Sequence, residues 1–413
     1  MSAFSLTGDQ AQAQKEIFGF IADPTSKFHV LEGYSGTGKT TLMQDVLKGL
    51  RTQLKSCTLI TPSHPGLDIE VALTATTHKA AEALSEKTGM DVTTVFSYLG
   101  LRVHTNYGTG ATSIVGDYTT PLSNVLLVID EASYTDDKLL KIIVDRANAA
   151  KFVKVLFIGD PAQLLGVGAQ TAPVFNVGFP TSRLTQVVRQ AEGNPIIDLS
   201  TMLRNAVYTK QFQQFHPDGN VIQHLDGDTF MAKACAVFSE GKEDSRILAW
   251  RNKTVTKYNN YIAEHLTGHS HMRDGSTAFV NSYVHGKEPL KNNETVTVHA
   301  PLKEQKHGVD GCSYLVRGRR YFVPDNSAEH SRLLQEFRAA GAKFQIKELM
   351  ETWADLRPAY AQTINKSQGS TYDSVFIDLN DVGGCFDKET IARLLYVGAS
   401  RARHNVYLFG DIK

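Results

Sequence analysis

Residues 33–40 read G-Y-S-G-T-G-K-T and have the types and spacing of a phosphate-binding loop. They fit the pattern G-x-x-x-x-G-K-[ST] at every fixed position. Glycines let the backbone wrap closely around phosphates, and the amides at the start of the next helix point toward the anion. In such a loop the lysine, here Lys39, holds the β- and γ-phosphates, and the hydroxyl of Thr40 ligates Mg²⁺. The sequence therefore predicts a site for a nucleoside triphosphate.

The elements around this loop have the order that such a site requires. Residues 28–31 are an apolar run typical of a buried strand, and residues 41–47 have a helical pattern. The alternative, an ordinary Gly-rich turn, is disfavoured by this context. The loop residues expected to contact the nucleotide are Gly33, Ser35, Gly36, Thr37, Gly38, Lys39, Thr40 and Thr41.

Two adjacent carboxylates end another apolar run. Residues 125–129 read V-L-L-V-I, and Asp130 and Glu131 follow directly. The carboxyl ends of parallel strands face the ligand crevice of an α/β sheet, so this pair is expected beside the phosphates. Asp130 would hold Mg²⁺, directly or through water, and Glu131 would be the general base that deprotonates the attacking water. The alternative is an acidic pair that caps the next helix.

A third apolar run, residues 154–158, is followed by Gly159, Asp160 and Gln163. The side-chain amide of Gln163 can donate a hydrogen bond to a γ-phosphate, which makes this residue a candidate sensor of hydrolysis. The alternative is a simple turn in which Asp160 is the N-cap of a helix.

The composition excludes several classes of protein. Lysine plus arginine and aspartate plus glutamate each number 43 among 413 residues, so the formal net charge is zero. An indiscriminate polyanion binder should be basic, so a nucleic acid would bind in a local groove. The four cysteines include no C-x-x-C pair, which disfavours structural zinc and predicts buried, reduced thiols. Neither a signal peptide nor an apolar run of about 18 residues is visible, so we expect a cytoplasmic protein without a membrane span.

Short apolar runs alternate with helical patterns over residues 1–180, which predicts a parallel α/β sheet. Its expected strands are residues 28–31, 70–74, 125–129 and 154–158. Residues 101–105 and 111–115 flank a Gly-rich turn and predict a β-hairpin inserted at 101–121. The first α/β lobe is therefore assigned to residues 1–100 and 122–180.

A second α/β lobe is predicted for residues 181–275 and 356–413. Its expected strands are residues 246–250, 360–363, 375–378 and 405–409. Between its two parts, residues 276–355 first alternate like a small antiparallel β-barrel and then show helical periodicity near 331–337. The predicted architecture is two α/β lobes, each with one insertion.

The motifs, taken in chain order, resemble those of superfamily 1 helicases. Residues 33–40, 130–133 and 159–163 resemble motifs I, II and III. Five further segments resemble the Q motif and motifs Ia, IV, V and VI, and these are residues 6–10, 75–81, 184–189, 362–370 and 395–403. The eight motifs span nearly the whole chain. The resemblance implies two RecA-like P-loop lobes that use ATP and Mg²⁺.

Within this superfamily the chain resembles the RecD-like (superfamily 1B) group, and in particular a compact phage helicase. The small size, the hairpin in the first lobe and the β-rich insertion that opens near residues 292–294 carry this resemblance. In that group the hairpin is a pin that splits the duplex, and an SH3-like domain braces it. Tyr107 is the candidate wedge, with a plain surface loop as the alternative.

The resemblance also assigns residues to the nucleotide. Gln10 would read adenine, and Gly369 would lie beside the nucleotide. Arg189 and Arg401, both assigned to the second lobe, would complete the ATP site when the lobes close; each has a surface or bracing ion pair as its alternative. Arginine fingers can contribute on the order of 10³–10⁵ in rate. The predicted catalytic residues are Lys39, Glu131, Gln163, Arg189 and Arg401.

The residues that the resemblance places on single-stranded DNA are Thr77, His78, Phe96, Tyr107, Thr363 and Asn365. For Thr77 and His78 the alternative is helix capping beside a solvated histidine. Two positions depart from the family, because Asn365 and Phe96 stand where the family carries histidine. Phe96 is equally typical of a core aromatic.

The sequence thus predicts an ATP-driven 5′→3′ DNA helicase and single-stranded DNA translocase, with the polarity resting on resemblance alone. Expected partners are single-stranded DNA, single-strand/duplex junctions and single-strand-binding or replisome proteins, for a functional monomer. A phage-encoded chain would act in DNA replication or recombination in the host cytoplasm. The alternatives are a translocase that displaces proteins or remodels junctions, and a nucleotide-gated DNA-binding module with negligible turnover.

Overall fold

The computed structural model of the chain describes residues 6–60, 64–105, 112–116, 118–150, 152–166, 172–188, 193–240, 244–268, 271–286, 288–291 and 294–412. The chain divides into two units, Met1–Gln213 and Gln214–Lys413. Each unit contains a parallel sheet of its own, as the alternation of strands and helices in the sequence predicts.

Unit 1 is built on a six-stranded sheet. Its strands and those of the inserted hairpin are β1 (Phe28–Gly33), β2 (Glu70–Ala75), β3 (Val92–Thr94), β4 (Leu101–Thr105), β5 (Thr112–Gly116), β6 (Val125–Asp130), β7 (Val153–Gly159) and β8 (Thr181–Leu184). The order across the sheet is β3-β2-β6-β7-β1-β8, and every neighbouring pair is parallel. The four strands expected from the apolar runs are confirmed, each one or two residues longer than predicted.

The helices of unit 1 cover both faces of this sheet. They are α1 (Gly8–Ala22), α2 (Lys39–Ile60), α3 (His78–Thr88), α4 (Val95–Tyr98), α5 (Asp137–Asn148) and α6 (Pro195–Thr209). Val46 of α2 packs with Leu156 in one core, and Ile143 of α5 packs with Phe157 in the other. Since β7 is buried along its whole length, the sheet is a central layer between two layers of helices.

Strand β8 corrects the predicted boundary between the lobes. The sequence analysis begins the second lobe at residue 181, but β8 pairs with β1 from Val30↔Thr181 to Gly33↔Leu184. Only two of its four residues are buried, so the segment lacks the apolar run that reveals a strand. Unit 1 extends to Gln213. Arg189 therefore falls within unit 1 rather than in the second lobe, and its own placement lies outside the described residues.

The inserted hairpin is present where the sequence predicts it. β4 and β5 are antiparallel, with pairs from Leu101↔Gly116 to Thr105↔Thr112. Its tip, residues 106–111, lies outside the described residues, and Tyr107 with it. Arg146, buried in α5, donates from Nε to the carbonyl of Thr120 (2.6 Å) and from Nη1 to that of Leu99 (2.7 Å). One guanidinium thus holds the chain on both sides of the hairpin.

Unit 2 is built on a five-stranded sheet with two small antiparallel sheets inserted. Its strands are β9 (Ile222–Leu225), β10 (Arg246–Ala249), β11 (Thr277–Val280), β12 (Thr295–Thr297), β13 (His299–Lys306), β14 (Val309–Val316), β15 (Arg319–Pro324), β16 (Leu356–Pro358), β17 (Ala361–Thr363), β18 (Tyr372–Asp378) and β19 (Ala402–Phe409). The five-stranded sheet has the order β17-β10-β18-β19-β9 and is parallel throughout. The strands predicted near 246, 360, 375 and 405 are confirmed, and β9 is an additional edge strand.

The insertion of unit 2 contains two antiparallel three-stranded sheets, β12-β11-β16 and β13-β14-β15. The helices of unit 2 are α7 (Gly227–Ser239), α8 (Asn252–Thr267), α9 (Ala328–Ala339), α10 (Lys343–Thr352), α11 (Ile364–Ser367), α12 (Leu379–Val382) and α13 (Lys388–Ala399). The helix expected near 331–337 is α9, and α10 follows it. Trp353 joins these helices to the sheet by packing on Phe322.

Two further expectations from the sequence concern the burial of the cysteines and the absence of membrane-spanning helices. Cys57, Cys235 and Cys312 are buried and unpaired, as predicted, whereas Cys385 is partly exposed. In the described part of the chain, no helix combines the length and hydropathy that a membrane crossing needs.

A buried lysine gives unit 1 a pH-dependent stability. Lys154 of β7 is 1% exposed, its ammonium donates to the carbonyls of Asp23 and Ser26, and it lies 5.1 Å from the centre of the Phe20 ring. Burial lowers the pKa of Lys154 to about 8, against 10.5 for an ordinary lysine. The charged form is therefore the one that the folded protein disfavours.

We expect the difference in unfolding free energy between the wild type and Lys154→Met to change between pH 8 and pH 10.5. Below pH 8 the lysine is charged in both states, so the penalty for its burial is complete. As pH rises the folded protein releases its proton first, which stabilises the wild type by at most about 3 kcal/mol. Urea unfolding of both proteins across this range measures the change. A constant difference would show that Lys154 titrates normally.

Candidate functional site

Four motifs meet at one edge of the unit 1 sheet. Strands β2, β6, β7 and β1 are neighbours and run in parallel, so their carboxyl ends lie together. The register pairs Ala75 with Asp130 and Glu32 with Gly159. Motif Ia, motif II, motif III and the phosphate-binding loop follow these four strands. The structure therefore brings together the predicted residues Lys39, Thr40, Glu131 and Gln163.

The loop between β1 and α2 has the backbone of a phosphate cradle. Gly36 and Gly38 have φ values of 84° and 80°, a region that favours glycine. A Cβ at Gly38 would also lie 2.5 Å from Nε2 of Gln10. The ammonium of Lys39 folds over the loop and donates to the carbonyls of Gly33 (2.5 Å) and Tyr34 (3.0 Å). Lys39, Thr40 and Thr41 form the first turn of α2.

The Q-motif segment braces this loop. Thr7 and Gln10 form a capping box at the start of α1, in which the Thr7 amide donates to Oε1 of Gln10 at 3.0 Å. Nε2 of Gln10 donates to the carbonyl of Thr37 at 3.0 Å, and the residue is completely buried. The described contacts of Gln10 thus hold the loop, and its contact with adenine stays a prediction.

The segment after β8 closes over the same loop. The carboxylate of Asp9 accepts hydrogen bonds from the amide and the hydroxyl of Thr185 at 2.9 and 2.6 Å. The side-chain bond from Thr185 is the main reason that the pKa of Asp9 lies below its usual value. The amide of Val188 donates to the carbonyl of Gly36 at 2.8 Å. Motif IV is thereby tied to both the Q motif and the phosphate-binding loop.

The backbone of Glu131 is held in an unusual conformation. Its φ and ψ are 53° and 44°, a left-handed region that costs a residue other than glycine about 1–2 kcal/mol. The Thr76 hydroxyl donates to the Glu131 carbonyl at 3.1 Å, and so does the amide of Tyr134 at 3.1 Å. Such strained residues are found mainly at functional sites. Thr76, the residue before the predicted DNA contact Thr77, therefore positions the predicted base.

The neighbouring Asp130 is partly buried, and nearby groups partly compensate the charge of its carboxylate. Burial raises the pKa of the Asp130 carboxyl, whereas the amide of Glu131 and the charges of Lys39 and Lys87 act to lower it. Its Oδ1 accepts the Glu131 amide at 2.9 Å. A nearby cation would offset the cost of burying this carboxylate.

Motif III is a tight turn rather than the start of a helix. Oδ1 of Asp160 accepts the Ala162 amide at 3.0 Å, and the Gln163 amide donates to the Asp160 carbonyl at 3.1 Å. A Cβ on Gly159 would lie 3.2 Å from the Ala132 amide nitrogen, so the glycine permits close packing on motif II. Gln163 is buried at this edge, and its role as a phosphate sensor stays a prediction.

The residues present fit ATP and Mg²⁺. The loop glycines make a cradle that side chains would fill, and the Lys39 ammonium supplies positive charge. The hydroxyl of Thr40 and the carboxylate of Asp130 are hard oxygen donors of the kind that Mg²⁺ prefers, with phosphate oxygens as further ligands. Among the described residues, no group of three or more His, Cys, Asp and Glu side chains could hold a metal.

Two of the predicted DNA residues, Thr77 and His78, are exposed just after the end of β2, where Ala75 pairs with Asp130 of motif II. Oγ1 of Thr77 caps α3 by accepting the Ala80 amide at 3.2 Å, and His78, the first residue of α3, is exposed. This is the capping geometry of the alternative interpretation, and it leaves His78 accessible. Phe96 of α4 is partly buried against the core, so it has both a packing role and an accessible part.

In unit 2 the predicted residues lie at opposite edges of the sheet. Thr363 ends β17 and caps α11, and Asn365 is exposed on that helix. Gly369, with φ of 77°, and Arg401 precede the amino ends of β18 and β19. Arg401 is 4% exposed and donates to the carbonyls of Val397 (3.2 Å) and Ser370 (3.4 Å). This geometry matches a bracing arginine, so the arginine finger stays a prediction.

Three residues of this site received no role in the sequence analysis. Asp9 and Thr76 act through bonds to chain segments distant in sequence. The third, Arg204 of α6, lies with its guanidinium carbon 3.6 Å from the centre of the Tyr34 ring in the phosphate-binding loop, a cation–π contact. None of the three belongs to a regular spacing that would reveal its role in the sequence.

Comparison with known proteins decides the family. The family described as AAA domain matches residues 6–226, over half of the chain, and the UvrD-like helicase C-terminal domain matches residues 358–409. The chain is 26% identical to the ATP-dependent DNA helicase Dda of Enterobacteria phage T4, over 97% of this chain and 99% of that one. The chain belongs to the RecD-like, superfamily 1B helicases.

A second relative and a solved structure are also similar to this chain. The ATP-dependent RecD2 DNA helicase of Deinococcus radiodurans is 34% identical over 41% of this chain and 20% of its own length. A structure of Pif1 helicases on forked double-stranded DNA matches with a TM-score of 0.54 and 18% identity, over 98% of this chain and 92% of that one. The latter likeness confirms the predicted helicase fold.

We expect Thr76→Val to lower kcat for ATP hydrolysis about 10-fold with little change in KM. Valine keeps the shape of the side chain but removes the bond to the Glu131 carbonyl, and small misplacements of a reacting group are costly. Steady-state hydrolysis without DNA measures both parameters.

Thr76→Ser should restore kcat, and Thr77→Val is the matched control because Thr77 caps α3 instead. Unchanged kcat in Thr76→Val would show that this bond does not position Glu131.

Proposed function

We propose that this helicase hydrolyses ATP at the carboxyl edge of the unit 1 sheet and uses the energy to move 5′→3′ along single-stranded DNA and separate duplexes. The observation that carries this proposal is the strained Glu131, held by Thr76 of motif Ia next to the phosphate-binding loop. The segment that would contact DNA is thereby bonded to the residue that would activate water.

In the proposed ATP site, Lys39 would leave its loop carbonyls to hold the β- and γ-phosphates, and Thr40 and Asp130 would hold Mg²⁺. A metal held there would supply positive charge that offsets the charge of the phosphate oxygens. Glu131 accepts the proton of the attacking water, and Gln163 contacts the γ-phosphate. Phosphoryl transfer requires mainly positioning and charge stabilisation, which these residues supply.

Within unit 2, the residues proposed to contact DNA and those proposed to contact the nucleotide lie at opposite ends of the strands. Thr363 and Asn365 follow the carboxyl end of β17, whereas Gly369 and Arg401 lie at the amino ends of β18 and β19. At a rise of about 3.3 Å per residue, the seven residues of β18 span roughly 20 Å. Unit 2 can therefore hold a phosphate backbone at one edge and a nucleotide at the other. Contacts to the DNA backbone carry no sequence information, so we expect translocation on any sequence.

We expect ATP-dependent separation of a partial duplex with a 5′ single-stranded tail and little separation of the same duplex with a 3′ tail. Fluorescent strand-displacement assays on the two substrates measure this difference. Glu131→Gln should abolish hydrolysis and unwinding with either tail while ATP binding remains, because the amide cannot accept the proton. Preference for the 3′ tail would overturn the polarity. A wild-type protein that does not hydrolyse ATP, or whose basal hydrolysis is not stimulated by single-stranded DNA, would overturn the motor.

We expect replacement of residues 106–111 by Asn-Gly to impair unwinding at least 10-fold while single-strand translocation continues. Thr105 and Thr112 are paired, so a two-residue turn can close the shortened hairpin without changing its register. Stopped-flow translocation on oligo(dT) and strand displacement on a 5′-tailed fork separate the two activities. Equal losses in both assays would argue against a pin.

A further inference from the structure

Two aromatic side chains of unit 2 lie on the surface at the edge where Thr363 ends its strand. Trp250 directly follows β10, and it is partly exposed. Phe386 is fully exposed, at 104% of the reference value, in the loop between α12 and α13. A fully exposed phenylalanine near a partly exposed tryptophan offers apolar surface that a ligand can cover.

The backbone holds the two aromatic residues on neighbouring segments. Asp381 of α12 accepts the amides of Trp250 (2.7 Å) and Arg251 (2.9 Å) on its Oδ2. Gly384, two residues before Phe386, packs against the indole, because a Cβ there would lie 3.7 Å from Cζ3 of Trp250. Trp250 and the loop that carries Phe386 are therefore one surface feature, which we call the aromatic edge.

The aromatic edge is continuous with the proposed DNA contact of unit 2. β10 and β17 are adjacent and parallel, and Ala249, the residue before Trp250, pairs with Thr363. β18, which leads into α12 and the Phe386 loop, borders β10 on its other side. A strand of DNA at Thr363 thus reaches Trp250 in one step across the sheet, about 5 Å.

The charges around the aromatic edge do not select a phosphate as its ligand. Arg251 lies with its guanidinium carbon 5.9 Å from the centre of the Trp250 ring, but it is paired with Asp381 at 2.6 Å. Asp387, next to Phe386, is an exposed carboxylate that caps α13. Lys388 beside it is exposed as well, so the charges around the aromatic edge balance and do not select a phosphate, whereas an uncharged base can stack on an aromatic face.

We propose that Trp250 and Phe386 form a base-stacking site for single-stranded DNA in unit 2. The inference rests on the proposed function, since it places bases beside a backbone held by Thr363 and Asn365. Stacking on an aromatic side chain tolerates every base. The site would therefore grip the strand between steps without conferring sequence preference.

The chain offers a direct spectroscopic test, because it has two tryptophans and Trp353 is only 2% exposed. Fluorescence of the full-length protein is titrated with oligo(dT) and with an abasic oligonucleotide of equal length, and Trp250→Phe is titrated in parallel. Stacking predicts quenching by oligo(dT) that is absent in Trp250→Phe and much weaker with the abasic strand.

Affinity for labelled oligo(dT), measured by anisotropy, gives the energetic test. Phe386→Ala should weaken binding on the order of 10-fold or more and leave hydrolysis without DNA unchanged. Phe344→Ala is the matched control, since Phe344 is 77% exposed on α10 of the same unit. Wild-type affinity in Phe386→Ala, together with no quenching from Trp250, would overturn the stacking site while the helicase proposal stands. Failure of the wild type to bind any oligonucleotide would instead overturn both.

Discussion

Parallel pairing of β2, β6, β7 and β1 is the constraint on which the nucleotide site depends. The motifs occur along the chain in the order I, Ia, II and III, but across the sheet their strands lie in the order Ia, II, III and I. Only this strand order places Asp130 and Glu131 between Thr76 and Gln163. A shift of one residue in the pairing would turn the Asp130 side chain to the opposite face of the sheet. The core packing on both faces therefore maintains the chemistry at the edge.

The second level of organisation is a set of bonds between motifs. Asp9 binds the segment at Thr185, Gln10 binds the phosphate-binding loop, and Thr76 binds the carbonyl of Glu131. Each bond joins two segments that would otherwise move separately. A ligand that displaces one segment must therefore act on its neighbour, which is the physical requirement for coupling between nucleotide and DNA.

Much of this architecture is visible in the sequence, and the exceptions have physical reasons. The phosphate-binding loop and the central strands are local patterns of glycine spacing and continuous apolar runs, and they were predicted correctly. β3 and β8 were missed because they are short and only one or two of their residues are buried, whereas the equally short β10 and β17 are buried throughout and β10 carries an apolar run. As a result the sequence analysis ended the first lobe 33 residues before the unit does.

Roles that depend on tertiary contacts could not be predicted from spacing. Thr76 and Thr77 are identical in type and adjacent, yet one bonds to Glu131 and the other caps α3. Arg401 matches a motif but is buried among carbonyls of its own unit. Phe376 lies in an apolar run that predicts its burial, whereas no local pattern around Phe386 shows that this side chain is exposed.

One further consequence follows from Asp381, which accepts hydrogen bonds from Arg251 Nε and Thr254 Oγ1, both at 2.6 Å, besides the two amides before α8. Burial opposes its charge, but these bonds outweigh that effect and lower its pKa. Backbone amides at the amino end of a helix that follows a parallel strand attract anions such as phosphate. At the junction of β10 and α8 a carboxylate of the chain itself fills that role, so these two amides are not available to a phosphate ligand.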